Sequence, residues 1–415
     1  MLNNKGNKYL IVFFLLLSTQ VKIMISNFQE NMLQDTAITL CEIILIIVSL
    51  YYIIYKIILK KEYDCLSKYS KKVLLFCFLF IMSYIGMMLY RIIDNNIVLS
   101  TSMTLAISLS AMFFIMVDMD YLKYNDILKG VGLFLLIENF YLIILFIFFK
   151  DNIRSISVLG NINIYIGVIL FFTPIYYMHL INQKKFSLLI FQVVSSALII
   201  ILSGSRFAFV VYPMELILFY NIVYNFKISI SRLLLIVLIC LFGISILIMN
   251  TSNYDSLVRA LNFPVEIYKR IVNDVDVNTN KISKNSLTRN KLYQKTVEEI
   301  KNHPFIGTGR QSVYIKGWGY QGAHNYILEI FLCYGLIGGI TYIVLAMYPI
   351  YSLIKIKKKS KRERLFLLGY WSVFLFSMVE PLLSSKLVIL LLIWGIAAVL
   401  LKDKIESINR KKEIN

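Results

Sequence analysis

Long apolar runs, separated by short polar segments, recur along the whole chain. Twelve of them, at roughly 9–26, 37–59, 73–90, 97–117, 130–149, 162–181, 186–202, 207–224, 232–250, 325–353, 365–380 and 386–401, are candidate membrane spans. Most reach the length, about 17–25 residues, that a helix needs to cross a bilayer. Backbone groups in lipid must be satisfied within the protein, so these runs are expected to be helices. The first follows Lys5 and Lys8 and begins at Tyr9. No small-x-small cleavage pattern follows it, so it is expected to stay as an uncleaved helix. The tenth is long, and Gly335, Gly338 and Gly339 are expected to let it bend or pack closely. The pattern predicts an all-α polytopic membrane protein. Helices one to nine fall in 1–250, a large loop in 251–324, helices ten to twelve in 325–401, and a tail in 402–415.

The loop 251–324 breaks the pattern. It spans 74 residues and is polar, far longer than any other connection. Long loops of this kind are usually functional. Within it, 286–302 (SLTRNKLYQKTVEEIKN) reads as a helix, with Ser286 able to cap it and Pro304 to end it. Leu292, Tyr293, Thr296 and Ile300 share a face with Arg289. An arginine turned inward in this way needs a partner or a ligand. Gly307 and Gly309 follow in a tight turn.

Charge orients the chain. The net charge is +19 with 58% hydrophobic residues. With the N-terminus cytoplasmic, 25 Lys and Arg fall on inner segments, among them the run Lys355–Arg364 (KIKKKSKRER). The short outer loops hold only Lys22, Arg91, Lys150, Arg154, Arg206 and Lys386. That is the asymmetry expected of inner loops, and an even number of spans returns the C-terminus to the cytoplasm. Much of the positive charge is therefore topology, and no nucleic-acid partner is expected. The large loop falls on the outer side, yet it carries eleven Lys and Arg against six Asp and Glu. That excess calls for an anionic partner. The five cysteines form no CxxC and no cluster with histidine, so no disulfide framework, zinc site or other metal site is expected.

Three outer-face residues can carry chemistry. His324 lies where the basic loop enters the tenth run, with Asn325 beside it and Glu329 one helical turn below. A neutral imidazole there can act as a general base near pH 7. Read blandly, it is an amphipathic interfacial residue. Arg206 sits in LSGSRFAF, in the short hairpin between the seventh and eighth runs, at the first turn of a helix. Guanidinium groups suit bidentate phosphate binding, and a helix start favours anions. Read blandly, it is an interfacial anchor. Together with Arg289, these supply two fixed cations and a base. A lipid-linked diphosphate donor needs such a set: cations for the charge on the leaving diphosphate, and a base for the attacking hydroxyl.

These stretches also resemble a known family. SGSR after an apolar run is similar to the arginine motif of the O-antigen ligase and polymerase superfamily. SLTRNKLYQKTVEEIKNHPFIGTGRQSVY resembles that family's arginine, helix and HP-x-x-G-x-G signature, and AHNYILEIFLCYGLIG its His-Asn segment. LGNINIYIG, with Asn161 and Asn163, resembles its Asn-x-Asn element. The matched motifs cover roughly 203–210 and 286–339, and the rest of the likeness is topology. Residue by residue, the family's two arginines fall on Arg206 and Arg289 and its histidine on His324. Tyr293 stands where the family often has tryptophan.

The resemblance implies a GT-C-like membrane glycosyltransferase of the bacterial plasma membrane. Both termini would be cytoplasmic and the active site extracytoplasmic. The donor it implies is an undecaprenyl-diphosphate-linked oligosaccharide, transferred with inversion and without metal or cofactor. Polymerases of the family pass the glycan to another lipid-linked unit, as in O-antigen or capsule synthesis; ligases pass it to an acceptor such as lipid A–core. The polymerase is the preferred expectation. Arg310, Asn325, Tyr293, Gly307, Gly309, Asn161 and Asn163 are expected to contact substrate. A chain-length regulator and a flippase are the protein partners this reading admits, beside the bilayer itself.

Glu138 and Glu215, midway along the fifth and eighth runs, are the best support for a rival class, a polysaccharide flippase or other transporter. Such a protein should show an internal repeat and broken midplane helices, and no repeat is visible. A transporter would also leave the basic outer loop unexplained.

Overall fold

The computed structural model describes residues 123–149, 162–203, 205–225, 282–309, 312–316, 319–356, 358–378 and 395–404. It also describes isolated positions within 9–13, 22–23, 38–39 and 71–89, and residue 393. The chain divides into two compact units. The first comprises Met1–Val131, Lys291–Lys358 and Pro381–Asn415; the second comprises Gly132–Asn290 and Lys359–Glu380.

Among the described residues, five helices are long and apolar enough to cross a membrane. They are α1 (Tyr124–Phe149), α2 (Ile162–Asn182), α3 (Phe186–Ser203), α4 (Arg206–Tyr224) and α6 (Tyr326–Ile354). They coincide with the fifth, sixth, seventh, eighth and tenth expected spans, the first of them starting six residues early. The eleventh expected span is also helical, as α7 (Lys361–Ser377). It begins in a basic turn behind a capping box: the Ser360 hydroxyl accepts from Glu363 N–H, and the Glu363 carboxylate accepts from Ser360 N–H. Several other expected spans lie wholly or largely outside the described residues.

Two short strands touch the ends of the first two expected runs near the N-terminus. The first span was placed at 9–26 and the second at 37–59. The strands β1 (Lys22–Ile23) and β2 (Ile38–Thr39) pair antiparallel, Lys22 with Thr39 and Ile23 with Ile38. Extended backbone therefore occupies the end of one run and the start of the next.

In the second unit, α2 is the most enclosed span, with 78% of its apolar window buried against 33% for α4. It meets α7 closely: a Cβ at Gly369 would come within 2.2 Å of the Phe171 carbonyl oxygen, and the Phe171 and Phe366 rings pack edge to face. Several polar side chains inside this bundle bond to one another. Asn139 on α1 donates to the Ser195 hydroxyl (2.8 Å) and the Ser196 hydroxyl (3.3 Å) on α3. The Tyr165 hydroxyl on α2 donates to the Asn139 side-chain carbonyl and to Leu135 O. Tyr177 and Tyr212 join hydroxyl to hydroxyl at 2.9 Å, and Tyr212 reaches Val193 O. Lipid offers no alternative partner for such groups, so they must find each other.

The first unit holds most of the described part of the large loop. Helix α5 (Ile282–Asn302) starts four residues before the expected Ser286, which therefore lies inside it. Lys295 is held by Glu298 (3.2 Å) and Glu299 (3.3 Å), hydrogen bonds that raise its pKa. After the turn come β3 (Ser312–Ile315) and β4 (Gly319–Gly322), an antiparallel hairpin with Val313 opposite Gln321 and Tyr314 opposite Tyr320. This hairpin was not expected from the sequence. Its side chains alternate as strand geometry requires, Val313 inward and Tyr314 outward. Val313 packs with Leu292 of α5 and Leu332 of α6, and Ile300 and Ile315 flank them.

Candidate functional site

Helix α6 is broken at Gly335, whose φ of 61° and ψ of −165° are not helical. A break of this kind frees backbone donors and acceptors that need new partners. The turn after α5 supplies them. Thr308 N–H donates to Leu332 O (2.6 Å), Gly309 N–H to Cys333 O (2.9 Å), and the Thr308 hydroxyl also reaches Leu332 O (3.0 Å). In return, Pro304 O accepts from Leu336 N–H (2.8 Å) and Phe305 O from Ile337 N–H (3.3 Å). The segment Pro304–Gly309 is thus clasped into the gap in α6 by reciprocal backbone bonds.

Glycine makes the clasp possible at two points. A Cβ on Gly307 would lie 2.4 Å from Gly335 N, and one on Gly335 would lie 2.4 Å from the Phe305 carbonyl. Both residues also have positive φ, 72° and 61°. That conformation costs an ordinary residue roughly 1–2 kcal/mol. The amides of Gly307 and Gly309 are donated inside the protein, to His303 O and Cys333 O. They serve the clasp, which the sequence had suggested only as a tight turn.

His324 lies between β4 and α6, half-buried, with φ at 48°. It is a non-glycine residue in left-handed backbone, a form found in only a few per cent of such residues and worth a functional question. Its neighbour Asn325 caps α6: the Asn325 side-chain oxygen accepts from Ile327 N–H and Leu328 N–H, both at 3.1 Å. Asn325 therefore has a structural task beside the substrate contact expected of it. Glu329, one turn into α6, is buried. The residue bearing the imidazole is thus fixed from three sides, by the hairpin, the cap and the clasped first part of α6.

The remaining expected residues fall as follows. Arg206 is the first residue of α4, preceded by Ser205 in extended backbone. Arg289 lies on α5 and is exposed. This departs from the inward position expected from periodicity. Among the described side chains of α5, the first buried one is Leu292, which packs against the hairpin and α6, and Arg289 lies one turn before it. Tyr293 is half-buried on the same helix, and Asn163 is half-buried in the first turn of α2. Asn161 and Arg310 lie outside the described residues. His303 is exposed, and His179 in the last turn of α2 bonds Gln183, just past the end of that helix, at 2.9 Å. Glu138 and Glu215 are both buried in the second unit, 2% and 1% exposed. Among the described residues, no three or more His, Cys, Asp or Glu gather as a metal ion would require.

Sequence reasoning missed the Asn139 and tyrosine network and the reciprocal clasp. A signal for the first was present in Asn139 itself, an amide deep in an apolar run beside Glu138. For the second it was the paired glycines of GTG and GLIGG, although only the fold brings them together.

No curated protein matches the chain. Residues 191–343 match the family model described as O-antigen ligase, a span that holds Arg206, the described part of the large loop, the clasp and His324. Over those residues the chain is similar to the O-antigen ligase family, which supports the resemblance to the O-antigen ligase and polymerase superfamily, and five of its described helices are long and apolar enough to cross a membrane.

Proposed function

We propose that this protein is a glycosyltransferase acting on an undecaprenyl-diphosphate-linked glycan, and that it joins repeat units into polysaccharide on the outer side of the plasma membrane. The observation that carries this is His324, held in left-handed backbone at the entrance to α6 by a cap, a hairpin and a clasp. Lys184 and Asn225 adopt the same backbone just past the ends of α2 and α4, whereas His324 stands at the start of a helix, immediately before its cap. In this reading the imidazole takes the proton of the acceptor hydroxyl as it attacks the sugar carbon bonded to the diphosphate. The carbon–oxygen bond to the diphosphate breaks with inversion, and the electron pair leaves on the phosphate oxygen. Arg206 and Arg289 bind the diphosphate and offset the charge that develops there, work that preorganised cations do well. The exposure of Arg289 suits a residue that meets a ligand. Asn163, Asn161, Arg310 and Tyr293 are assigned to substrate contact, while Asn325, Gly307 and Gly309 act by positioning.

A ligase differs only in its acceptor, and the match to the family model described as O-antigen ligase does not separate the two. Cells lacking the gene separate the two. A polymerase deletion accumulates single lipid-linked units, whereas a ligase deletion accumulates full-length polymer on the lipid carrier. Arg206→Ala and Arg289→Ala should each reproduce the deletion phenotype at normal protein level. Normal polysaccharide from both variants would reject the proposed diphosphate contacts.

A further inference from the structure

Helix α6 is 29 residues long. At 1.5 Å per residue it measures about 43 Å, well beyond a hydrocarbon core of about 30 Å. Only part of it can lie in lipid, and two features say which part. One end is marked by Lys355, followed by Lys358 and Lys359. Counting back about 20 residues, one hydrocarbon thickness, reaches Gly335.

The exposure of the helix changes at the same residue. From Leu328 to Gly335 every position is buried or half-buried by the protein. Beyond it Leu336, Ile337, Ile340, Val344, Tyr351 and Ile354 are all exposed large hydrophobics. The spacing from Ile337 through Ile340, Val344, Tyr351 and Ile354 puts them on one helical face. Such a stripe is costly in water and at home in lipid. Phe305 stands at its head, 62% exposed, with its carbonyl bonded to Ile337 N–H. Exposed Lys301 and His303 lie just before it in the chain.

We propose that the membrane-embedded part of α6 is Leu336–Ile354, and that Phe305 dips into the hydrocarbon of the loop-side leaflet as the anchor of the large loop. The occupant of this surface is lipid, because the stripe runs along a helix apolar enough to span a membrane and the exposed Phe305 is tied by its carbonyl to Ile337 at the head of that stripe. The backbone of the clasp can tolerate that depth. The carbonyls of Pro304 and Phe305 and the amides of Gly307, Thr308 and Gly309 are all bonded within the protein. It follows that Tyr326–Tyr334 stands outside the hydrocarbon, with Tyr326 about 14 Å along the helix axis from Gly335. A hydroxyl reaching His324 then meets it in the aqueous layer and not within the bilayer. The proposal stands on α6 and the clasp, and does not depend on the catalytic reading.

The test is photo-crosslinking of the full chain in vesicles of phosphatidylethanolamine and phosphatidylglycerol. Benzoylphenylalanine is placed at position 305, 340 or 327, and adducts are identified by mass spectrometry. Positions 305 and 340 should attach to lipid acyl chains, and 327 should not. No lipid adduct at 305 beside a clear one at 340 would overturn the anchor. So would attachment of 305 to a second copy of the chain, and lipid adducts at 327 equal to those at 340 would place the whole helix in the bilayer. As a milder pair, Phe305→Cys should react with a membrane-impermeant maleimide about tenfold more slowly than Ile327→Cys, with the unsubstituted chain as background. Equal rates would also overturn the proposal.

Discussion

The transmembrane bundle of the second unit and the clasp of the first solve the same problem with different groups. In the bundle the helices run on without a break, α2 and α4 even through Pro174 and Pro213, and the polar bonds between them come from side chains: Asn139, Tyr165, Ser195, Tyr177 and Tyr212. In the clasp a helix is broken, and backbone bonds the break carried by Leu332, Cys333, Leu336 and Ile337 are remade with a loop. Side-chain bonds tolerate replacement, because a lost partner leaves one or two groups to find another. A backbone clasp tolerates little, since any Cβ at its centre separates the two segments.

The largest effect should therefore come from Gly335→Ala or Gly307→Ala. Either adds a Cβ at 2.4 Å from backbone and also forces alanine to a positive φ. Overpacking costs about 1–3 kcal/mol, and left-handed backbone adds roughly 1–2. A clear fall in thermal midpoint and new proteolysis within 303–309 are expected. Gly319→Ala is the control. It has the same sign of φ, at 70°, but open space around it, so it should show the backbone cost alone. If all three variants behave alike, crowding at the clasp is not what matters.

Next comes Asn139→Ala, which leaves Tyr165 and Ser195 without that partner. Tyr165 keeps Leu135 O and Ser195 keeps Gln192 O as acceptors, so the loss should be that of ordinary hydrogen bonds, about 1 kcal/mol. The pairwise coupling of Asn139 with Ser195 in a double-mutant cycle should be smaller, about 0.6 kcal/mol, as is usual between membrane helices. A coupling near zero would mean the bundle is held by packing alone. Asn325→Ala should cost about 1 kcal/mol through loss of the α6 cap, and Asn325→Asp should restore it. Equal losses from both would point to a role beyond capping. The smallest effect belongs to Lys295→Met. Its ion pairs are exposed and screened, so the thermal midpoint should not move.

The membrane helices were legible in the sequence because each is a long apolar run bounded by polar residues, even where, as in α6, the run is longer than the thickness it crosses. Thus α2, α3, α4 and α6 begin and end within a residue or so of expectation. The end of α5 was legible from Pro304, but not its start, since Ser286 can cap a helix or sit inside one. Arg289 was misplaced for a similar reason. Periodicity tells which residues share a face, and only the neighbouring hairpin decides how far along the helix that face is covered. The hairpin itself was hidden among glycines that read as turns. His324 and Asn325 were found together as a motif. The division of labour between them, one capping and one held in left-handed backbone, depends on dihedral angles that residue types do not encode.

The most direct test of the account is His324→Gly, scored for both stability and surface polysaccharide. Glycine fits the left-handed backbone without penalty, so the variant should be at least as stable as the parent, by up to about 1 kcal/mol. Cells carrying it should nonetheless make no polymer and accumulate the same lipid-linked precursor as the deletion. A stable His324→Gly protein that makes normal polysaccharide would contradict the account and leave the imidazole no part in the chemistry.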